Sequence, residues 1–90
     1  MRRIIWSGEA RANLSGIRAY IGQFSPLAAQ RFSARLVHAA ESLAQQPDIG
    51  RSIGAGRREL VTIAPYIIRY RVTNDAVVIL RIRHGARRPD

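Results

Sequence analysis

Apolar residues recur at intervals of three and four through the first half of the chain and at intervals of two through the second. The hydrophobic pattern alone therefore divides the chain into a helical part and a sheet part. Arg3 to Trp6 is a short β-branched and aromatic run, expected as a strand. Ser7 follows it where a helix N-cap would sit, with Glu9 in the first turn. Ala10, Leu14, Ile17, Ile21 and Phe24 then form one apolar stripe on a helix expected from about Gly8 to Gln23. Ser25-Pro26 restarts the pattern as N-cap and first helical residue. Ala29, Phe32, Leu36, Ala39 or Ala40, and Leu43 carry the stripe on until Gln46-Pro47 ends it. With so short a linker, the two helices are expected as an antiparallel hairpin. Pro47 to Gly56, with three glycines and no sustained period, reads as an exposed loop.

Beyond the loop the period is two. Strands are expected at Arg58–Ile63, Tyr66–Val72 and Val77–Arg83, with turns at Ala64-Pro65 and Thr73–Ala76. The order β, α, α, β, β, β predicts a two-layer α+β domain spanning residues 1–90, the helix hairpin packed on one face of a mostly antiparallel sheet. In the last two strands Ile68, Tyr70 and Val72 alternate with Arg69 and Arg71, while Val78, Leu80 and Ile82 alternate with Arg81 and Arg83. Both apolar rows face the helices if the connecting loop has an odd number of residues, for instance Asn74-Asp75-Ala76. That register sets Arg69 opposite Arg81. Like charges in that position are destabilising, so the row is either used to bind something or is a solvated face whose heads separate into water.

Composition sharpens the point. The 90 residues carry 15 basic side chains, all arginine, against six acidic ones, a formal net charge of +9. Planar guanidinium forks suit phosphates and carboxylates, so the expected partner is a polyanion, either nucleic acid or an acidic peptide. Cysteine is absent, which excludes disulfides and thiolate metal sites and fits a cytoplasmic setting. The apolar start is too short for a signal peptide's hydrophobic region, and no run is long enough to span a bilayer.

The usual catalytic constellations are missing. His38 and His84 have no acidic cluster at metal-ligand spacing, and the glycines at 50, 54 and 56 do not make a phosphate-binding loop, so neither metal nor cofactor is expected. His38 reads as a helix-surface or packing residue, and Tyr66 and Tyr70 as core aromatics. His84 ends a strand that already holds Arg81 and Arg83. It is either an acid–base group with arginines stabilising a phosphate, or a strand-end residue in an anion-binding tail.

Several blocks resemble the ParE-type toxins of type II toxin–antitoxin systems. They are Trp6-Ser7-x-x-Ala10 leading into Leu14, Ile17 and Tyr20-Ile21; Leu43-Ala44-x-x-Pro47-x-x-Gly50-Arg51; Arg58-Glu59-Leu60; Tyr66-Ile67-Ile68-x-Tyr70-Arg71-Val72; and Val78-Ile79-Leu80-Arg81-Ile82-x-His84-Gly85-Ala86-Arg87. Together they span almost the whole chain in order. The resemblance implies an α+β toxin neutralised by direct binding of a cognate antitoxin, with operator DNA bound through that antitoxin. The ParE branch implies inhibition of DNA gyrase, with Arg69, Arg71, Arg81, Arg83 and Arg87 as partner-binding residues. The RelE branch of the same superfamily instead implies a ribosome-dependent mRNA endoribonuclease, for which Arg58, Arg69, Arg81 and His84 are the candidate site. The absence of lysine and the Arg-Arg-Pro-Asp tail depart from the ribonuclease pattern and favour ParE. A nucleic-acid-binding module without toxicity is the remaining expectation from charge alone.

Overall fold

The computed structural model describes residues 1–61 and 63–85. The elements in chain order are β1 (Arg3–Trp6), α1 (Gly8–Gly22), α2 (Pro26–Ser42), β2 (Arg51–Gly54), β3 (Arg57–Leu60), β4 (Tyr66–Val72) and β5 (Ala76–His84). The strands form one sheet in the order β1-β5-β4-β3-β2, antiparallel except for the parallel β1–β5 pair. The α+β architecture, with a helix hairpin on one face of a mostly antiparallel sheet, is as the sequence predicts.

Both helices begin where serine supplies a cap. Ser7 Oγ accepts the Ala10 N–H at 3.0 Å and Ser25 Oγ that of Ala28 at 3.1 Å, each satisfying a donor that the first helical turn leaves open. Ala10, Leu36, Ala40 and Leu43 of the helical layer meet Leu60, Ile68, Tyr70, Val77, Ile79 and Ile82 of the sheet in a single core. Phe24, expected on the buried stripe of α1, is instead 75% exposed. The helix ends at Gly22 and the chain turns into the Ser25 cap, which carries Phe24 past the last packed turn.

Two further expectations are corrected. The segment read as a loop contains β2, which pairs with β3 through a turn in which Gly54, Ala55 and Gly56 all take positive φ. Glycine adopts that backbone at no steric cost, so the turn folds the chain straight back on itself. This edge strand buries no residue fully and rests on backbone pairing, which leaves no hydrophobic period to read. The strand expected at Arg58–Ile63 is observed at Arg57–Leu60, and Thr62 within that stretch lies outside the described residues.

The second correction concerns β5. Arg69 does face Arg81, yet nearer the turn Val72 pairs with Val77 and Tyr70 with Ile79, so the register shifts by one residue at Leu80. The buried row is therefore Val77 and Ile79, then Ile82 beyond the bulge, where the alternation predicts Val78, Leu80 and Ile82. A β-bulge achieves what an odd loop would have achieved. Helix α1 holds it in place. Strand β1 stops at Trp6 opposite Ile79, and from there Ser7 donates from its N–H to Ile79 O (3.0 Å) and from Oγ to Leu80 O (2.8 Å). Asn13 Oδ1 accepts the Ile82 N–H at 2.9 Å. The edge of β5 that β1 leaves open is thus satisfied by the first turns of the helix. Among the described residues no helix is long and apolar enough to cross a membrane.

Candidate functional site

Leu60 on β3, Ile68 and Tyr70 on β4, and Ile82 on β5 point into the core, so the alternate residues point to the opposite sheet face. That face carries Arg57, Glu59, Arg69, Arg71 and Arg83. Glu59 stands directly across from Arg69 and is 3% exposed. Its Oε2 accepts from Arg69 Nε (3.1 Å) and Nη2 (2.9 Å) and from Arg83 Nη2 (3.5 Å), while Oε1 accepts from Arg51 Nη2 (3.3 Å). Burial alone would raise the Glu59 pKa. The hydrogen bond and charge of Arg69, with those of Arg83, outweigh it and hold the carboxyl below its usual range. The sequence offers no obvious buried carboxylate, and Glu59 is one. The signal existed in its alternation with Leu60, but its partner follows only from the β3–β4 register.

The row of arginines is thus partly compensated from within. Arg69 and Arg83 share Glu59, and Arg81 Nε lies 3.4 Å from Glu9 Oε2 at the start of α1. Arg71 is exposed and has no ion pair among the described residues. Arg87 lies outside the described residues.

Arg58 points the other way, toward the helix side, and clamps the turn that follows α2. Its Nη1 donates to Gly50 O (2.7 Å) and Asp48 O (3.3 Å), and its Nη2 is 3.6 Å from Asp48 Oδ1. Tyr70 holds the same turn from beneath, its Oη donating to Pro47 O (2.7 Å) and accepting the Gly50 N–H (2.9 Å). Burial raises the Tyr70 pKa, against the lowering effects of the Gly50 N–H and the Arg58 charge. The Pro47-x-x-Gly50-Arg51 block is therefore a turn sealed onto a tyrosine. Tyr70→Phe leaves the Gly50 amide without its partner and should lower the unfolding free energy by about 1–3 kcal/mol, measurable by urea denaturation. The hydroxyl's contribution is present at neutral pH and should fade only as the pH rises through the elevated tyrosine value.

His84 pairs with Tyr66 across β4–β5 and stacks edge-to-face on its ring at 5.5 Å, and Tyr66 stacks in the same way on Phe32 at 5.6 Å. The four ribonuclease candidates are not all brought together, because Arg58 stands apart from the other three. Arg69 and Arg81 oppose each other, and Arg58 serves the Pro47–Gly50 turn from the other face. Arg58 and His84 are aligned with Tyr70 and Tyr66, four residues apart on β4, a strand distance of roughly 13 Å. Among the described residues no group of three His, Asp or Glu could hold a metal ion.

Between α1 and the ends of β4 and β5 runs a groove of about 1,090 Å³, lined among others by Gly16, Ile17, Tyr20, Tyr66, Arg81 and His84. Tyr20, which lines it, is 61% exposed and meets the exposed Phe24 edge-to-face at 5.5 Å. The groove's lining is mixed, with Ala12, Ile17 and Ile21 on the helix side and Arg81, Arg83 and His84 on the strand side.

Comparison with known proteins agrees with this fold. The family described as ParE toxin of type II toxin-antitoxin system, parDE, matches residues 4–89. A relative named Toxin RelE2 from Caulobacter vibrioides is 55% identical over 97% of this chain and 99% of its own length. Toxin RelE3 of the same organism is 37% identical over 98% and 99%. Among solved structures, a chain of the chromosomal ParDE TA system from P. aeruginosa superposes with a TM-score of 0.79 at 27% identity, covering 93% of this chain and 96% of that one. The chain belongs to the ParE toxin family of type II toxin–antitoxin systems.

Proposed function

We propose that this toxin acts in the cytoplasm as an inhibitor of DNA gyrase rather than as a ribonuclease, and that a cognate antitoxin silences it by direct binding. The observation that carries the reading is the separation of Arg58 from Arg69 and Arg81. RNA cleavage requires a proton-transfer group and phosphate-stabilising cations around one reacting centre. Here Arg58 is consumed by a structural turn and His84 is stacked on Tyr66. Inhibition of a protein target needs no such centre.

The antitoxin would lay an amphipathic acidic segment along the α1 groove, with its carboxylates toward Arg81 and Arg83, which line it, and a second part of the antitoxin would meet Arg69 and Arg71 on the opposite sheet face. Disordered segments that fold on a partner in this way combine apolar anchors with charge complementarity.

Purified toxin at excess over gyrase is expected to abolish supercoiling of plasmid DNA, and His84→Gln should stay within about threefold of that potency, since a conservative change of a packing residue moves binding by well under 1.4 kcal/mol. Unaltered supercoiling at excess toxin would overturn the reading. So would cleavage of message on translating ribosomes that His84→Gln abolishes, which would assign the protein to the ribonuclease branch.

A further inference from the structure

Two arginines on the sheet face away from the helices are set directly against each other. Arg57 on β3 pairs directly with Arg71 on β4. Residues paired in this way hold their Cβ atoms about 5 Å apart, and like charges there repel. The one carboxylate on strands β2–β5 is Glu59, and both its oxygens are already taken by Arg51, Arg69 and Arg83. Neither Arg57 nor Arg71 makes an ion pair among the described residues, and Arg57 Nε is buried without a hydrogen-bond partner. A buried donor left unmade is costly, and two opposed guanidiniums compound the cost. The flanks of the pair are small or apolar: Gly54 beside Arg57, where even an added Cβ would meet nothing within 4 Å, and Val78 beside Arg71.

The geometry points to Arg57 and Arg71 as a two-pronged seat for one phosphate of a nucleic-acid backbone, a contact made by the toxin itself. Two planar forks can grip the oxygens of one tetrahedral anion, which neutralises both charges and supplies an acceptor for the orphaned Nε. A phosphodiester fits better than a side-chain carboxylate. It presents oxygens on an exposed ridge, and Gly54 leaves the approach open to a continuous backbone. The identity of the polymer as duplex DNA rests on the gyrase reading, since DNA is what the toxin meets on that target. An antitoxin lying across the same face would occlude the seat.

The test is fluorescence anisotropy of a labelled 20-base-pair duplex with the full-length toxin over a salt series. Arg57→Gln/Arg71→Gln is expected to weaken binding about tenfold or more at low salt and to reduce the slope of log Kobs against log salt by about one. Arg18→Gln/Arg31→Gln removes the same charge from exposed helix positions and should leave most of the binding intact. The exposed Arg71→Gln alone should show the same trend without disturbing half-buried Arg57. Absence of DNA binding by the unmodified toxin, an equal loss in the helix variant, or preference for poly-glutamate over DNA would each overturn the proposal. Supercoiling inhibition measured on the same proteins separates the two ideas. Full gyrase inhibition without DNA binding removes only the phosphate seat, and DNA binding with normal supercoiling removes only the gyrase reading.

Discussion

Replacing Glu59 by glutamine is expected to lower the unfolding free energy by about 3 kcal/mol, because removing one partner of a buried ion pair leaves its counter-charge uncompensated. Arg69 and Arg83 are 15% and 11% exposed and both lean on Glu59 Oε2, so neither reaches bulk water without rearrangement. Arg51, 73% exposed, loses little. For a chain of this length the change corresponds to a fall in Tm of roughly 10–20 °C, read by circular dichroism. The same carboxylate gives the native protein an acid limb. Its pKa is lowered on folding from about 4.5, so its contribution is present above that value and is lost as the pH falls through the lower folded one. Glu59→Gln should flatten stability across that acid range while leaving its shape at neutral pH unchanged. A variant with the parent's acid dependence would show that the carboxylate is not the group responsible.

Gly50→Ala should be comparably severe for a steric reason. A Cβ there would lie 2.6 Å from Tyr70 Oη and 2.8 Å from the Glu59 backbone carbonyl. Neither can retreat easily, since the hydroxyl is tied to Pro47 O and the carbonyl belongs to a central part of the β2–β3–β4 ladder. Overpacking of this kind costs about 1–3 kcal/mol, and loss of the Tyr70–Gly50 bond adds to it. The double variant Gly50→Ala/Tyr70→Phe should be less destabilised than the sum of the two, because removing the hydroxyl relieves the worse clash. Strict additivity in denaturant titrations would show that the clash is not the cause.

The two predictions concern positions that the chain reveals unequally. Gly50 sits in a block that resembles a toxin family, and the sequence marks it as special without saying why. The reason appears only when Tyr70, twenty residues on, is folded beneath it. Glu59 also lies in such a block and alternates with Leu60, but nothing along the chain names its partners. Its isolation among arginines becomes a buried cluster only through the β3–β4 register, which also turns Arg58 to the opposite face and so separates the residues that a ribonuclease would need together. The bulge at Leu80 shows the same limit. Alternation predicts one inward row on β5, but an extra residue, held by Ser7 and Asn13 from α1, switches the row part-way along.

By itself the sequence determined what depends on neighbours along the chain: two capped amphipathic helices, three of the five strands in its second half and at its start nearly to the residue, the α+β class and the cationic balance. These follow from periods of 3.6 and 2 and from local capping chemistry, which act over a few residues. The tertiary structure decided the pairing partners: which carboxylate meets which guanidinium, which arginines are left facing each other, and whether β2 exists at all. Such contacts join residues tens of positions apart, and their geometry is fixed by strand register and by a single inserted residue, neither of which leaves a periodic trace in the chain.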